Sequence, residues 1–378
     1  MRVMIVVTHL LGTGHLSRAL TLARAYKKAG HRVMVVSGGM PVPVLDTGDI
    51  DIGQLPPVRS DGVDFARLLT ANASRASAQY MQARSTLLVA HLVRFRPDVI
   101  ITELFPFGRR ILAKEFTALL EKAVVQLNRP VICASVRDIL APPSKPAKAA
   151  ETETLIGDFY DAVLVHSDPT LTPLNDSWPV SDDLQRHLQY TGFVAPPPAA
   201  AQADGIGAGD VLVSAGGGDV GAYIYETALQ AARLTPELRW RLLVGGSKSA
   251  QHVETLAATA PQNAIVEAAR PDFRQMLLHA RASVSMCGYN TALDILQAGT
   301  PAVFIPFDEG SEVEQSLRAR ALSRQEGRCL LARSDLTAER LAAAVRDLPQ
   351  GPLSNDTLFN GAQRTVEITD WLRAQTND

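Results

Sequence analysis

Residues 281–315 read RASVSMCGYNTALDILQAGTPAVFIPFDEGSEVEQ. Residues 282–285 make a short apolar strand, and Cys287, Gly288, Tyr289 and Asn290 a turn. Thr291 opens a helix that Gly299 and Pro301 stop. Residues 302–305 make a second strand, and Pro306 and Phe307 then open an acidic loop ending at Glu314 and Gln315. A strand that feeds a glycine turn into a helix gathers backbone N–H groups and the positive end of a helix dipole at one point, which suits a phosphate. The loop after the next strand leaves the same edge of the sheet and can read what the phosphate carries.

Working outward, the same alternation fills the second half of the chain. Residues 210–214 (DVLVS) are a strand, followed by Ala215, Gly216, Gly217, Gly218 and Asp219 ahead of a helix over 220–234. Strands follow at 239–244 and 264–267, the latter leading into Arg270 and Phe273 and a helix over 273–280. Helices are expected at 336–348 and, amphipathic with Trp371, at 358–374. Strands alternating with helices describe an α/β doubly wound parallel sheet.

The first half repeats the design. Residues 2–8 are a buried strand, Leu11, Gly12, Thr13, Gly14 and His15 a glycine loop, and 16–29 a helix with Leu16, Ala19, Leu20, Ala23 and Tyr26 at helical spacing. Residues 31–37 complete a β-α-β unit. A dinucleotide fingerprint needs a third glycine where Ser17 stands, which disfavours NAD. His15 lies at a helix start after a strand, the edge where such sheets place their sites. There it can act as a general base, the helix N-terminus disfavouring the imidazolium, or be a solvated imidazole. As a base it would show an ionisation near 6–7 in a pH–rate profile. Residues 38–64 read as loop, and 64–94 as a long helix with Arg67, Arg75, Arg84 and Arg94 on a solvated polar face. The strand 97–102 ends in Glu103, with Phe105, Gly108, Arg109 and Arg110 beyond it as a candidate acceptor surface. Glu103 either orients His15 or binds an acceptor hydroxyl, or it caps the helix starting near Gly108. Further strands are expected at 130–136, at 162–166 ending in His166, and at 189–193.

At 378 residues the chain exceeds one ordinary core. The Pro/Ala/Gly-rich stretch 195–209 divides it into domains 1–194 and 210–355, with 356–378 a C-terminal helix that could fold back on the first domain. A net charge of −2 gives no electrostatic case for nucleic acid. Cys133, Cys287 and Cys329 are scattered, which speaks against a disulfide framework or zinc site and for a reducing, cytoplasmic setting. The apolar start runs into Gly-Thr-Gly-His rather than a cleavage site, and no stretch has the roughly 20 apolar residues of a membrane span. Peripheral membrane contact is left open.

The G-T-G-H loop, the S-A-G-G-G loop, and G-Y-N-T-A-L-D-I-L-Q-A-G-T-P-A-V-F-I-P-F with E-Q downstream together resemble a GT-B nucleotide-sugar glycosyltransferase. The resemblance is to the branch that includes the peptidoglycan lipid N-acetylglucosaminyltransferase. It implies two doubly wound Rossmann-like domains facing across a cleft. It also implies that Gly216, Gly217 and Gly218 approach the donor diphosphate, and that Arg270 and Phe273 wall the base. By the same resemblance Gly288, Asn290 and Thr291 face the phosphates, Asp294 binds ribose hydroxyls, and Glu314 and Gln315 hold the donor sugar. The peptidoglycan branch has glutamate at the place of Asp294 and glutamine at the place of Glu314. Gly12, Thr13, Gly14, Phe105 and Arg109 fall on the acceptor side.

The expected reaction is a single displacement from a nucleotide-diphosphosugar, a UDP-sugar by family habit, to a hydroxyl acceptor. His15 is the base, Glu103 its aid, and no metal or other cofactor is required. The D-x-D at Asp49 and Asp51 has no strong apolar strand before it and reads as loop carboxylates rather than a metal motif. A nucleotide-sugar 2-epimerase-like enzyme and a non-catalytic nucleotide-sugar-binding protein are the competing readings.

Overall fold

The computed structural model describes residues 1–43, 45–60, 67–200, 205–215, 220–309, 312–354 and 357–376. The chain divides into two compact units, one of residues 1–195 and 358–378, the other of 196–357.

The first unit contains β1 (Arg2–Val7), α1 (Gly14–Lys28), β2 (Arg32–Ser37), β3 (Asp51–Gln54), β4 (Arg59–Ser60), β5 (Leu68–Leu69), α2 (Ala78–Phe95) and β6 (Val99–Glu103). It continues with α3 (Ala113–Val124), β7 (Val131–Arg137), α4 (Pro146–Phe159), β8 (Ala162–His166), α5 (Asp182–His187) and β9 (Leu188–Tyr190). Seven strands form a parallel sheet in the order β3-β2-β1-β6-β7-β8-β9, and β4 and β5 pair apart as an antiparallel ribbon. Central strands buried on both faces should read as unbroken apolar runs, and β1 does. Val3, Ile5 and Val7 pack with Leu16, Leu20 and Tyr26 of α1, while Met4 and Val6 pack with Leu88 and Leu92 of α2 and Phe116 of α3. The order reverses between β1 and β6, so the crevice at their carboxyl ends is the place where such a sheet binds ligands.

The helix expected over 64–94 begins only at Ala78. Ala73 adopts φ +58°, which breaks the chain direction, and Ser77 Oγ accepts the Tyr80 N–H at 3.1 Å to cap the true start. Leu68 and Leu69 are strand instead. The expected solvated arginine face is also corrected at Arg84, which is fully buried. Its Nε and Nη2 bond Glu115 at 3.0 and 2.8 Å, and its Nη1 donates to the Gly38 carbonyl at 2.9 Å.

The second unit contains β10 (Asp210–Ser214), α6 (Ala222–Leu234), β11 (Arg239–Val244), α7 (Ser249–Ala257), β12 (Ala264–Ala268), α8 (Phe273–Leu277) and β13 (Ala282–Ser285). Then come α9 (Tyr289–Ala298), β14 (Ala302–Phe304), α10 (Glu314–Leu322), β15 (Arg328–Leu330) and α11 (Ala338–Asp347). Its parallel sheet runs β12-β11-β10-β13-β14-β15, with the reversal between β10 and β13. Pro196 and Pro197 belong to this unit through their carbonyls, which accept from Gln297 Nε2 at 3.1 Å and Arg274 Nη2 at 2.7 Å.

The last helix, α12 (Gly361–Gln375), returns to the first unit. Tyr26 Oη and Thr369 Oγ1 are 2.8 Å apart, and Val366 and Ile368 join the core beside α1. Gly361 admits no side chain, since a Cβ there would lie 2.3 Å from the Gly192 carbonyl oxygen.

Candidate active site

In the first unit, β1 delivers the chain to an exposed turn at Leu11, Gly12, Thr13 and Gly14, and α1 starts at Gly14. Gly12 has φ +61°, a turn conformation that glycine adopts without strain. His15 therefore sits in the first turn of α1, beside the end of β6. Its Nδ1 lies 2.8 Å from Glu103 Oε1. An ionised carboxylate only accepts, so Nδ1 carries the proton and Nε2 keeps a lone pair. Of the readings open for Glu103, this contact is the one that orienting His15 requires.

Glu103 is buried and held by more than the imidazole. Arg18 Nη2, one turn along α1 from His15, pairs with Oε1, and Ser135 Oγ donates to Oε2 at 2.7 Å. Burial opposes the charge, but Arg18 first and then His15 hold the carboxyl well below its usual range. His15 is pulled down to about 4, chiefly by burial, with Glu103 pulling the other way. The ionisation near 6–7 expected from sequence is thus moved to lower pH by desolvation, which the sequence does not display.

Arg109 adopts φ +59° and its Nε donates to the Thr8 carbonyl at 2.7 Å, bringing a guanidinium to the carboxyl end of β1. Burial lowers its pKa to about 10. Phe105 does not join this surface. It is buried and stacks on Phe116 with ring centroids 4.6 Å apart, so the acceptor-side expectation fails for its side chain.

In the second unit the opening stretch forms the strand, glycine turn, helix and strand as read, except that the helix starts at Tyr289 rather than Thr291, and Glu314 and Gln315 open a helix rather than end a loop. Gly288, at φ −63° and ψ 150°, precedes α9, and a Cβ placed on it would meet nothing within 4 Å. Asn290 is exposed and Thr291 half-buried in the first turn, whose N–H groups have no intrahelical acceptor. Arg318, missed in the sequence, is buried on α10 and donates through Nη1 to the Cys287 carbonyl at 2.9 Å, its guanidinium 5.6 Å from the Tyr289 ring centroid. It ties the turn to the helix carrying Glu314 and Gln315.

Asp294 lies one turn beyond Thr291 and accepts from Arg274 Nε at 2.9 Å. Burial raises its pKa against the pull of Arg274. Gln315 Oε1 accepts the Phe307 N–H at 3.2 Å, so its amide is pinned to the loop after β14. Glu314 opens α10, and its N–H is capped by Glu312 Oε1 at 2.8 Å. Arg270 forms a two-pronged pair with Asp272 at 2.8 and 2.7 Å, immediately before Phe273 opens α8. Gly216, Gly217 and Gly218 lie outside the described residues; β10, at the sheet's reversal point, ends at Ser214.

Asp49 of the D-x-D faces Lys27, and Asp51 begins β3. Among the described residues no group of three or more His, Cys, Asp or Glu could hold a metal ion. Among them, too, no helix is long and apolar enough to cross a membrane.

Residues 212–367 match the family model for the glycosyltransferase family 28 C-terminal domain. The chain is 26% identical over 354 residues to the UDP-N-acetylglucosamine–N-acetylmuramyl-(pentapeptide) pyrophosphoryl-undecaprenol N-acetylglucosamine transferase of Cupriavidus metallidurans, covering 90% of this chain and 88% of that one. It is 29% identical over 154 residues to the protein of the same name from Rhizobium meliloti; that match spans 39% of this chain and 41% of the relative. The crystal structure of MurG from Acinetobacter baumannii shares the fold, with a TM-score of 0.61 over 99% of both chains at 16% identity. Fold, sheet reversals and family match together define a GT-B glycosyltransferase. Within that class, the chain is a relative of the MurG-type N-acetylglucosamine transferases.

Proposed function

We propose that the protein transfers a sugar from a uridine-diphosphosugar to a hydroxyl acceptor with inversion, using His15 as general base and no metal ion. The observation that carries this reading is the His15–Glu103 pair, which leaves Nε2 as the proton acceptor. The acceptor O–H gives its proton to Nε2 as its oxygen attacks the anomeric carbon. The bond from that carbon to the diphosphate breaks, and its electron pair leaves on the phosphate oxygen. The first-turn N–H groups of α9, reached past the bare Cα of Gly288, take up the developing charge.

Uridine is supported by the relatives, whose names specify a UDP-sugar donor. Asp294 is read as the ribose ligand through the oxygen that Arg274 leaves free, and Gln315 and Glu314 as the sugar contacts. Arg270 and Phe273 are read as the base wall. A thermal-shift panel of nucleoside diphosphates and their sugars tests the donor. A shift specific to uridine compounds is expected, and no shift with any nucleotide contradicts the proposal.

A further inference from the structure

Behind Glu103 runs a buried chain of hydrogen bonds. Ser135 Oγ, two residues before the end of β7, lies 2.7 Å from Glu103 Oε2 and 2.9 Å from His166 Nε2. His166, the last residue of β8, has its Nδ1 2.9 Å from Thr191 Oγ1, just beyond β9. Ser135 and His166 are fully buried and Thr191 is 1% exposed. The chain therefore crosses four adjacent strands at or near their carboxyl ends, from the edge of the sheet to the crevice beside β1.

Proton counting gives it a direction. Glu103 is ionised and can only accept, so the single Ser135 proton points at Oε2. His166 is buried and neutral, its pKa pulled down to about 3 chiefly by desolvation, with Arg18 lowering and Glu103 raising it. With Ser135 already donating, the His166–Ser135 contact requires the proton on Nε2. Nδ1 is then a lone pair facing the Thr191 hydroxyl at 2.9 Å, whose one proton it shares with the Gly192 carbonyl at 2.7 Å. The Ser135 and His166 donors are both turned toward the carboxylate. The far end is fixed by backbone: the Thr191 N–H donates to the Val165 carbonyl at 3.0 Å and the Gly192 N–H to the Ser167 carbonyl at 3.1 Å.

We propose that Ser135, His166 and Thr191 are positioning residues for the base, a one-way hydrogen-bond relay that fixes the Glu103 carboxylate and, through it, the orientation and proton affinity of His15. This rests on the reading of His15 as the base. Arg18 and His15 hold Oε1, and the Ser135 hydroxyl draws charge onto Oε2, so the relay tempers how strongly the Glu103 carboxylate holds the His15 N–H. With Oε2 tied to Ser135 and Oε1 facing Arg18 and His15, the carboxylate has one orientation.

The test is a titration of His15 by histidine-selective 15N NMR in the full chain, for which no acceptor need be known. The groups that face His15 are Glu103, Arg18 and Arg109. Removing the Ser135 donor leaves Glu103 a stronger acceptor for the His15 N–H, so the imidazolium is held better. Ser135→Ala should therefore shift the midpoint upward, by roughly threefold or more in proton concentration. Thr191→Val should move it the same way by less, and Thr191→Ser, which restores the hydroxyl, should return it to the wild-type value. Glu103→Gln should move it the opposite way. Residues that merely pack would lower thermal stability and leave the midpoint unmoved. An unchanged midpoint in both Ser135→Ala and Thr191→Val overturns the relay. Failure of the underlying reading looks different: His15→Ala would keep full turnover while the midpoint shifts in the other variants persist.

Discussion

Nδ1 of His15 and Oε1 of Glu103 lie 2.8 Å apart although 88 residues separate them in sequence. One residue follows β1 and the other ends β6, the two strands between which the sheet order reverses. The topology alone brings a carboxylate to an imidazole, and the carboxylate then dictates which ring nitrogen is free to accept a proton.

On the proposed base role, the pair sets the pH dependence of turnover: activity needs neutral His15 and is lost as pH falls through its pKa, lowered by burial to about 4. Glu103 raises that pKa, so Glu103→Gln must move the acid limb of the profile to still lower pH. The substitution should also reduce kcat by about 100-fold with the donor KM little changed, since it acts on proton transfer rather than binding. Rates of UDP release against pH in the two proteins check both effects.

Gly288 separates binding from folding. A methyl group there meets no protein atom within 4 Å, and its backbone, at φ −63°, suits alanine. Gly288→Ala should thus leave stability within about 0.5 kcal/mol of wild type. If the donor phosphate binds at the first turn of α9 as proposed, the same methyl would stand in its way, and the affinity for UDP should fall at least about tenfold. Calorimetry of UDP binding beside a urea melt measures the two quantities.

Arg84 and Glu115 form a buried pair within the first unit. Arg84→Met strands a buried carboxylate and should cost about 3–5 kcal/mol in a urea melt. The double variant with Glu115→Met removes the stranded charge and should recover most of that loss. Equal stability of the single and double variants would refute the pairing energetics.

The alternation of strands and helices was legible because buried parallel strands read as apolar runs, and the glycines and prolines that end helices are local signals. The turn at Gly288 and the placement of His15 and Glu103 followed from strand ends. Arg84 was not legible, because its partners are Glu115 on another helix and a carbonyl at Gly38, and nothing in its own helix marks it as buried. Ser135, His166 and Thr191 were missed for the same reason: they lie on separate strands, and only the register of the sheet lines them up. Phe105 was misread because aromatic residues after a strand serve a core as readily as a surface. The shift in His15 reflects burial by residues far along the chain.

The most direct test of the central claim is turnover and UDP binding in His15→Ala. If His15 Nε2 is the base, kcat should fall by about 100- to 10,000-fold while UDP affinity stays within about twofold. Full transfer activity in that variant would contradict the assignment.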